Sequence, residues 1–206
     1  MKHDIEKLKK IKNEYLSYLN IALKSNDNLI RVDALELTAD LLDSLIKKMA
    51  DSLKDKDELV QISIIEAINQ ALLSIIDLKP KIRELLYSSR WLVRAYAAEI
   101  LGDLKDTSSK NILKGMLENA TVEEKIRIYY ALYKMEEETY LGKLFNCLDH
   151  EYYRVRMASA ALLEKLINTH NKDKIFKQLK SRLLKEEEPI VANRLKDIIE
   201  SYADKK

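Results

Sequence analysis

The sequence predicts an all-α fold, a right-handed α-α superhelix of about six stacked helix pairs, on three observations. First, the stretch WLVRAYAAEILGDL at Trp91–Leu104 recurs with the skeleton apolar, Arg, two residues, Ala, Ala, one residue, Ile, Leu, Gly. Its copies align on Arg31, Gln61, Arg94, Arg127, Arg156 and Ala192, giving steps of 30, 33, 33, 29 and 36 residues, the period of helix-pair solenoids. Second, only 3 Gly and 2 Pro in 206 residues, with 47% hydrophobic and 34% charged side chains, suit continuous helices with one buried stripe and one wet face. Third, no low-complexity linker interrupts the series, which predicts one domain with repeats at 2–41, 42–76, 79–105, 108–137, 139–168 and 172–203.

The elements follow in order. From Asp4 to Leu23, Ile5, Leu8, Ile11, Tyr15, Leu16, Leu19 and Leu23 fall at steps of three and four, an amphipathic helix that caps the array. Ser25, Asn26, Asp27 and Asn28 supply the oxygen acceptors that open the next helix, which carries Ile30, Arg31, Ala34, Leu37, Thr38 and Leu41. The second pair is expected at 42–53 and 58–76, around a turn at Asp55, Lys56 and Asp57. The third opens at Pro80, where a missing N–H costs nothing, and continues in the Trp91 copy. Thr107, Ser108 and Ser109 start the fourth, and Thr121 with Glu124 forms a Thr-x-x-Glu capping box ahead of its second helix. The fifth spans Thr139–Leu148 and Tyr152–Ile167, and the sixth Lys172–Leu184 and Pro189–Tyr202.

Lys and Arg total 36 against 34 Asp and Glu, a net charge of +2, too balanced to imply a polyanion partner from bulk charge. Charges interleave through Met1–Lys12, so no secretory signal is expected, and no apolar run approaches the ~18–20 residues that span a bilayer. With Cys147 the only cysteine, a cytoplasmic location and a core role for that thiol are expected. His3, His150 and His170 lie far apart without metal-ligand spacing, no phosphate-cradling glycine loop is present, and Cys147 near His150 lacks an orienting third group. No catalysis, cofactor or metal is expected.

The chain resembles HEAT-repeat proteins, of the short-repeat kind similar to phycobilisome-lyase-type repeats. Val93-Arg94 with Ala97, Ala98, Leu101 and Gly102 carry the likeness, as do Ile126-Arg127 with Ala131, and Asp149 before Val155-Arg156 with Ala160 and Leu163. The resemblance implies a structural role for Arg31, Arg94, Arg127 and Arg156. It also implies an Asp–Arg ladder between repeats, which Asp27 with Arg31 and Asp149 with Arg156 would supply and which Gln61 and Ala192 interrupt.

Packing explains the motif. Val93, Ala97, Ile100, Leu101 and Leu104 form a face against the partner helix, and small Ala98 admits the neighbouring pair. At about 100° per residue the opposite face, lining the concave side, lies one and five positions after the arginine, with the position three before it at the edge. The first row reads Val32, Ile62, Ala95, Ile128, Met157 and Asn193; the second Glu36, Glu66, Glu99, Leu132, Ala161 and Asp197; Trp91 and Tyr153 stand at the edge. An apolar ridge beside carboxylates opposes phosphate binding and suits a protein or peptide with a basic or amphipathic segment. The plainer alternative is that the ridge packs between repeats and the carboxylates are simply solvated.

The expected function is therefore a non-catalytic protein-binding scaffold, an adaptor or an inhibitor of the immunity-protein kind. A second reading is a DNA-binding protein resembling HEAT-like alkylpurine glycosylases, with Trp91 beside Glu99 or Asp103; a third is a chromophore lyase or lyase-type chaperone. Lysines crowd the first helices, among them Lys7, Lys9, Lys10, Lys12, Lys47, Lys48, Lys172, Lys174, Lys177, Lys180 and Lys185, a face more readily read as solvated than as a binding surface.

Overall fold

The computed structural model describes residues 2–52, 63 and 78–202. Among them the chain is all-helical, and its contacts gather into two compact units, Met1–Leu72 and Leu73–Lys206. The expected helix at 58–76 and the positions Gln61, Ile62 and Glu66 lie outside the described residues.

In the first unit, α1 (Lys2–Leu23) and α2 (Asn28–Ser52) pack on each other. The turn between them closes as the polar run predicts. Asp27 Oδ1 accepts the Leu29 N–H at 2.9 Å, and Arg31 Nη1 donates to the Ser25 carbonyl at 2.6 Å. Across the pair, the Thr38 hydroxyl donates to the Ala34 carbonyl at 2.7 Å and so accepts from the Tyr15 hydroxyl, also at 2.7 Å. One expectation is corrected: no break falls at Leu41–Leu42, because 28–52 has no Gly or Pro there and the apolar spacing runs straight through. Two helices cannot bury both stripes, and Leu8, Ile11, Leu16, Leu37, Leu41 and Leu45 line an open trough of about 800 Å³.

Among its described residues the second unit holds four pairs. The first is α3 (Lys79–Glu84), extended by a 3₁₀ turn at Leu85–Tyr87, with α4 (Trp91–Asp103). Next come α5 (Lys110–Met116), entered through a 3₁₀ turn at Thr107–Ser109, and α6 (Val122–Lys134), then α7 (Thr139–Cys147) and α8 (Tyr153–Leu166). Last are α9 (Lys172–Leu183) and α10 (Pro189–Ser201). Pro80 and Pro189 both sit in first turns, and the Thr121–Glu124 capping box forms with both bonds present. Each second helix packs on the next one, α4 on α6, α6 on α8 and α8 on α10.

Two core clusters result. One joins Leu86, Ala98 and Leu101 to Leu113, Ile128 and Leu132; the other runs from Ile126 and Tyr130 through Val155 and Leu163 to Leu179 and Leu195. Gly102 sets the α4–α6 spacing: a Cβ there would lie 2.5 Å from Ala131 Cα, so the two backbones meet with no room for a methyl group. Helices α4 and α6 end in the same motif. Asp106 N–H reaches back to the Leu101 carbonyl at 2.9 Å and Glu137 N–H to that of Leu132 at 3.1 Å. Lys105 (φ 47°) and Glu136 (φ 71°) occupy the left-handed position that glycine usually fills.

Candidate interaction surface

The recurring arginine is the first side chain to place, because its partners fix the geometry around it. Arg94 donates from Nη1 to the Ser88 and Ser89 carbonyls at 2.7 and 3.2 Å, and from Nε to Glu124 Oε1 at 2.7 Å. Arg156 repeats this, with Nη1 on the His150 and Glu151 carbonyls at 2.8 Å each, and Nε and Nη2 on the two oxygens of Glu186 at 2.8 and 2.7 Å. Each guanidinium thus ties the turn before its own helix to a glutamate 30 residues on, in the next repeat. The Arg156–Glu186 contact is bidentate and uses the fixed fork of arginine, whereas Arg94 reaches Glu124 through Nε alone.

The rungs are Arg–Glu, not the Asp–Arg ladder that the resemblance implies. Asp27 caps α2 instead of meeting Arg31, and Asp149 lies 3.4 Å from Arg182, not on Arg156. A carboxylate in the turn beside the arginine is superfluous here, because backbone carbonyls already occupy Nη1.

Burial pushes the Glu186 carboxyl up, but Arg156, Arg182 and the Glu188 N–H outweigh it and hold it down at about 2. Burial likewise opposes ionisation of Glu124, and bonds from Arg94 and Thr121 leave its pKa below the ordinary glutamate value.

Arg127 departs from the rule. The position 30 residues on is Met157, which offers no carboxylate. Its guanidinium turns the other way, 4.4 Å above the Tyr96 ring, with Nε 3.0 Å from Glu99 Oε2 in an ion pair not aligned for a hydrogen bond. Glu99 Oε1 accepts from Lys165 Nζ at 2.5 Å, so α4, α6 and α8 are joined by one charge chain. Hydrogen bonding to Glu99 raises the Lys165 pKa. Beside it the Tyr130 hydroxyl donates to Asp103 at 2.5 Å, and Lys134 Nζ is 3.5 Å from Asp103.

This arrangement corrects the predicted concave row. Ala95 and Ile128 are fully buried, as is Leu132, and Met157 is half-buried against the second core cluster. Ile128 and Leu132 share a cluster with Ala98 and Leu101, so that face of α6 turns back onto α4. Glu99 is 6% exposed and committed to Arg127 and Lys165, whereas Ile100, expected in the core, is exposed. A second helix is flanked by its partner and by two neighbouring second helices, which rotates the accessible strip away from the +1 and +5 positions. In α2, Val32 and Glu36 are exposed as expected.

The edge row is on the surface. Trp91 (41% exposed) and Tyr153 (39%) stand at equivalent starts of α4 and α8, and Tyr152 (65%) precedes Tyr153. Arg154 lies over the Tyr153 ring at 5.9 Å, and His150 packs on Tyr152 at 5.4 Å. Tyr87, also exposed, carries no signal in the arginine repeat that would mark it as a surface residue.

The remaining candidates find structural places. Cys147 is half-buried, where burial pushes its thiol up, and His150 Nδ1 accepts the Tyr152 N–H at 3.1 Å. Trp91 and Asp103 sit at opposite ends of α4, roughly 18 Å of helical rise apart. Lys174, Lys177, Lys180 and Lys185 are exposed on or just past α9. Among the described residues no helix is long and apolar enough to cross a membrane. No known family model matches the chain, and no curated protein does.

Proposed function

We propose that the protein is a non-catalytic scaffold of HEAT-like repeats that binds an amphipathic segment of another protein, with the pairs of residues 78–202 wound as a right-handed superhelix. The observation that carries this reading is the aromatic edge: Trp91, Tyr152 and Tyr153 are exposed at repeat-equivalent helix starts and flanked by Arg90 and Arg154. Tryptophan, tyrosine and arginine supply large, semi-rigid contact area and dominate interface energies. The neutralised carboxylates of the α4–α8 face remove the reason to require a basic partner.

The test is affinity capture with the intact chain and with a Trp91→Ser/Tyr153→Ser variant whose thermal melt is unchanged. One protein retained by the former and at least ~30-fold weaker on the latter is expected, since losing even one anchor costs about 2 kcal/mol. Equal retention by the variant, or salt-sensitive duplex DNA binding in place of a protein, contradicts the proposal. Ile128→Asp is unsuitable, because the side chain is fully buried and its loss would unfold the repeat.

A further inference from the structure

We infer that Arg127 is a recognition residue that receives a carboxylate from the bound partner; the inference rests on the protein-binding reading above. Three arginines in the second unit stand at the same motif position, and two are tied into rungs. Arg94 and Arg156 each spend Nη1 on two carbonyls; Arg94 adds Nε to Glu124, and Arg156 adds Nε and Nη2 to Glu186. Arg127 donates no hydrogen bond to any described residue, although its side chain is only 16% exposed and its Nε is buried. A guanidinium carries five donors in a planar fork, and leaving them unmatched in a half-buried site is costly unless something else matches them.

The surroundings orient the fork and do not saturate it. Tyr96, itself exposed, supports the guanidinium plane at 4.4 Å, and Glu99 anchors the Nε side at 3.0 Å. Because Lys165 already neutralises Glu99 and Lys134 pairs with Asp103, these groups sum to one uncompensated positive charge. A single negative charge matches that balance, whereas a phosphate dianion would leave one negative charge in excess. Carboxylate geometry also fits the fork in a bidentate manner. Tyr96 continues into a shallow apolar cleft of about 420 Å³ with Leu92, Ile100, Leu85 and Ile82, which suits apolar residues flanking the acidic one.

The probe is a pair of short peptides, acetyl-Leu-Glu-Leu-amide and acetyl-Leu-Gln-Leu-amide, titrated into the full chain while the arginine Nε–Hε resonances are followed by NMR. The Glu peptide is expected to shift the Arg127 resonance saturably and the Gln peptide to leave it in place. Arg127→Lys, which keeps the charge and loses the fork, is expected to weaken Glu-peptide binding at least ~10-fold with the melt unchanged. Equal response to both peptides overturns the inference. So do a response confined to Arg90 or Arg154, the same shift from sulfate at matched ionic strength, or no binding at all. Loss of partner capture in the Trp91→Ser/Tyr153→Ser variant alongside a silent Arg127 would sink this inference alone; an intact Arg127 response without any edge dependence would sink the aromatic-edge reading alone.

Discussion

Glu186→Gln is expected to destabilise the second unit by about 3 kcal/mol in urea denaturation, because removing one member of a buried ion pair leaves the other charge uncompensated. The Glu186 side chain is fully buried, accepting from Arg156, Arg182 and the Glu188 N–H, and Arg156 is itself 8% exposed. A glutamine keeps the volume but offers one acceptor oxygen to two guanidinium groups. The same site sets a pH dependence. The folded pKa is about 2, below the unfolded value near 4.3, so its stabilisation is present above about pH 4.3 and is lost as pH falls through 2. The lowered pKa of Glu124 acts with the same sign. Acid titration of stability should therefore show a limb between those values, on the order of 2 kcal/mol for Glu186, that flattens in the Gln variant. A variant as stable as the parent with an unchanged acid limb would remove Glu186 from the account.

Gly102→Ala is expected to cost about 2 kcal/mol even though alanine is the better helix former. The new methyl group would meet Ala131 Cα at 2.5 Å and Ala131 Cβ at 2.9 Å, and backbone cannot give way as a flexible side chain does. Gly115 and Gly142, in helices α5 and α7, have nothing within 4 Å of such a methyl group. Gly115→Ala and Gly142→Ala are expected to stabilise by up to ~1 kcal/mol each. The opposite signs, read from the midpoints of three denaturation curves, separate close helix approach from intrinsic propensity; three shifts of one sign would refute the α4–α6 contact.

Local chemistry was the part of the fold legible in the chain. Pro80, Pro189 and the Thr121–Glu124 box mark helix starts because each acts through its own backbone neighbourhood. The continuity of α2 through Leu41–Leu42 was not legible: a fixed period invites a boundary where the residues supply no stop signal. Nor were the ends of α4 and α6, since Lys105 and Glu136 take a glycine's conformation without a glycine's signature. The rungs had a readable signal that was missed, as Glu124 and Glu186 each follow an arginine by 30 residues. At the surface, the −3 positions Trp91 and Tyr153 are exposed. In α4 and α6 the +1 and +5 positions are buried because helical spacing gives the angle between residues and not which direction faces solvent; that is fixed by the neighbouring helices burying Ala95, Ile128 and Glu99.

The division of labour among three motif arginines is the central claim, and urea denaturation of Arg94→Gln, Arg127→Gln and Arg156→Gln tests it most directly. Arg94→Gln leaves the buried Glu124 without a cation, and Arg156→Gln leaves Glu186 with Arg182 alone and strips the His150 and Glu151 carbonyls of their donor, so each substitution is expected to cost about 3 kcal/mol. Arg127→Gln leaves Glu99 paired with Lys165 and should cost no more than about 1 kcal/mol. Three equal losses, or the largest at Arg127, would contradict the account.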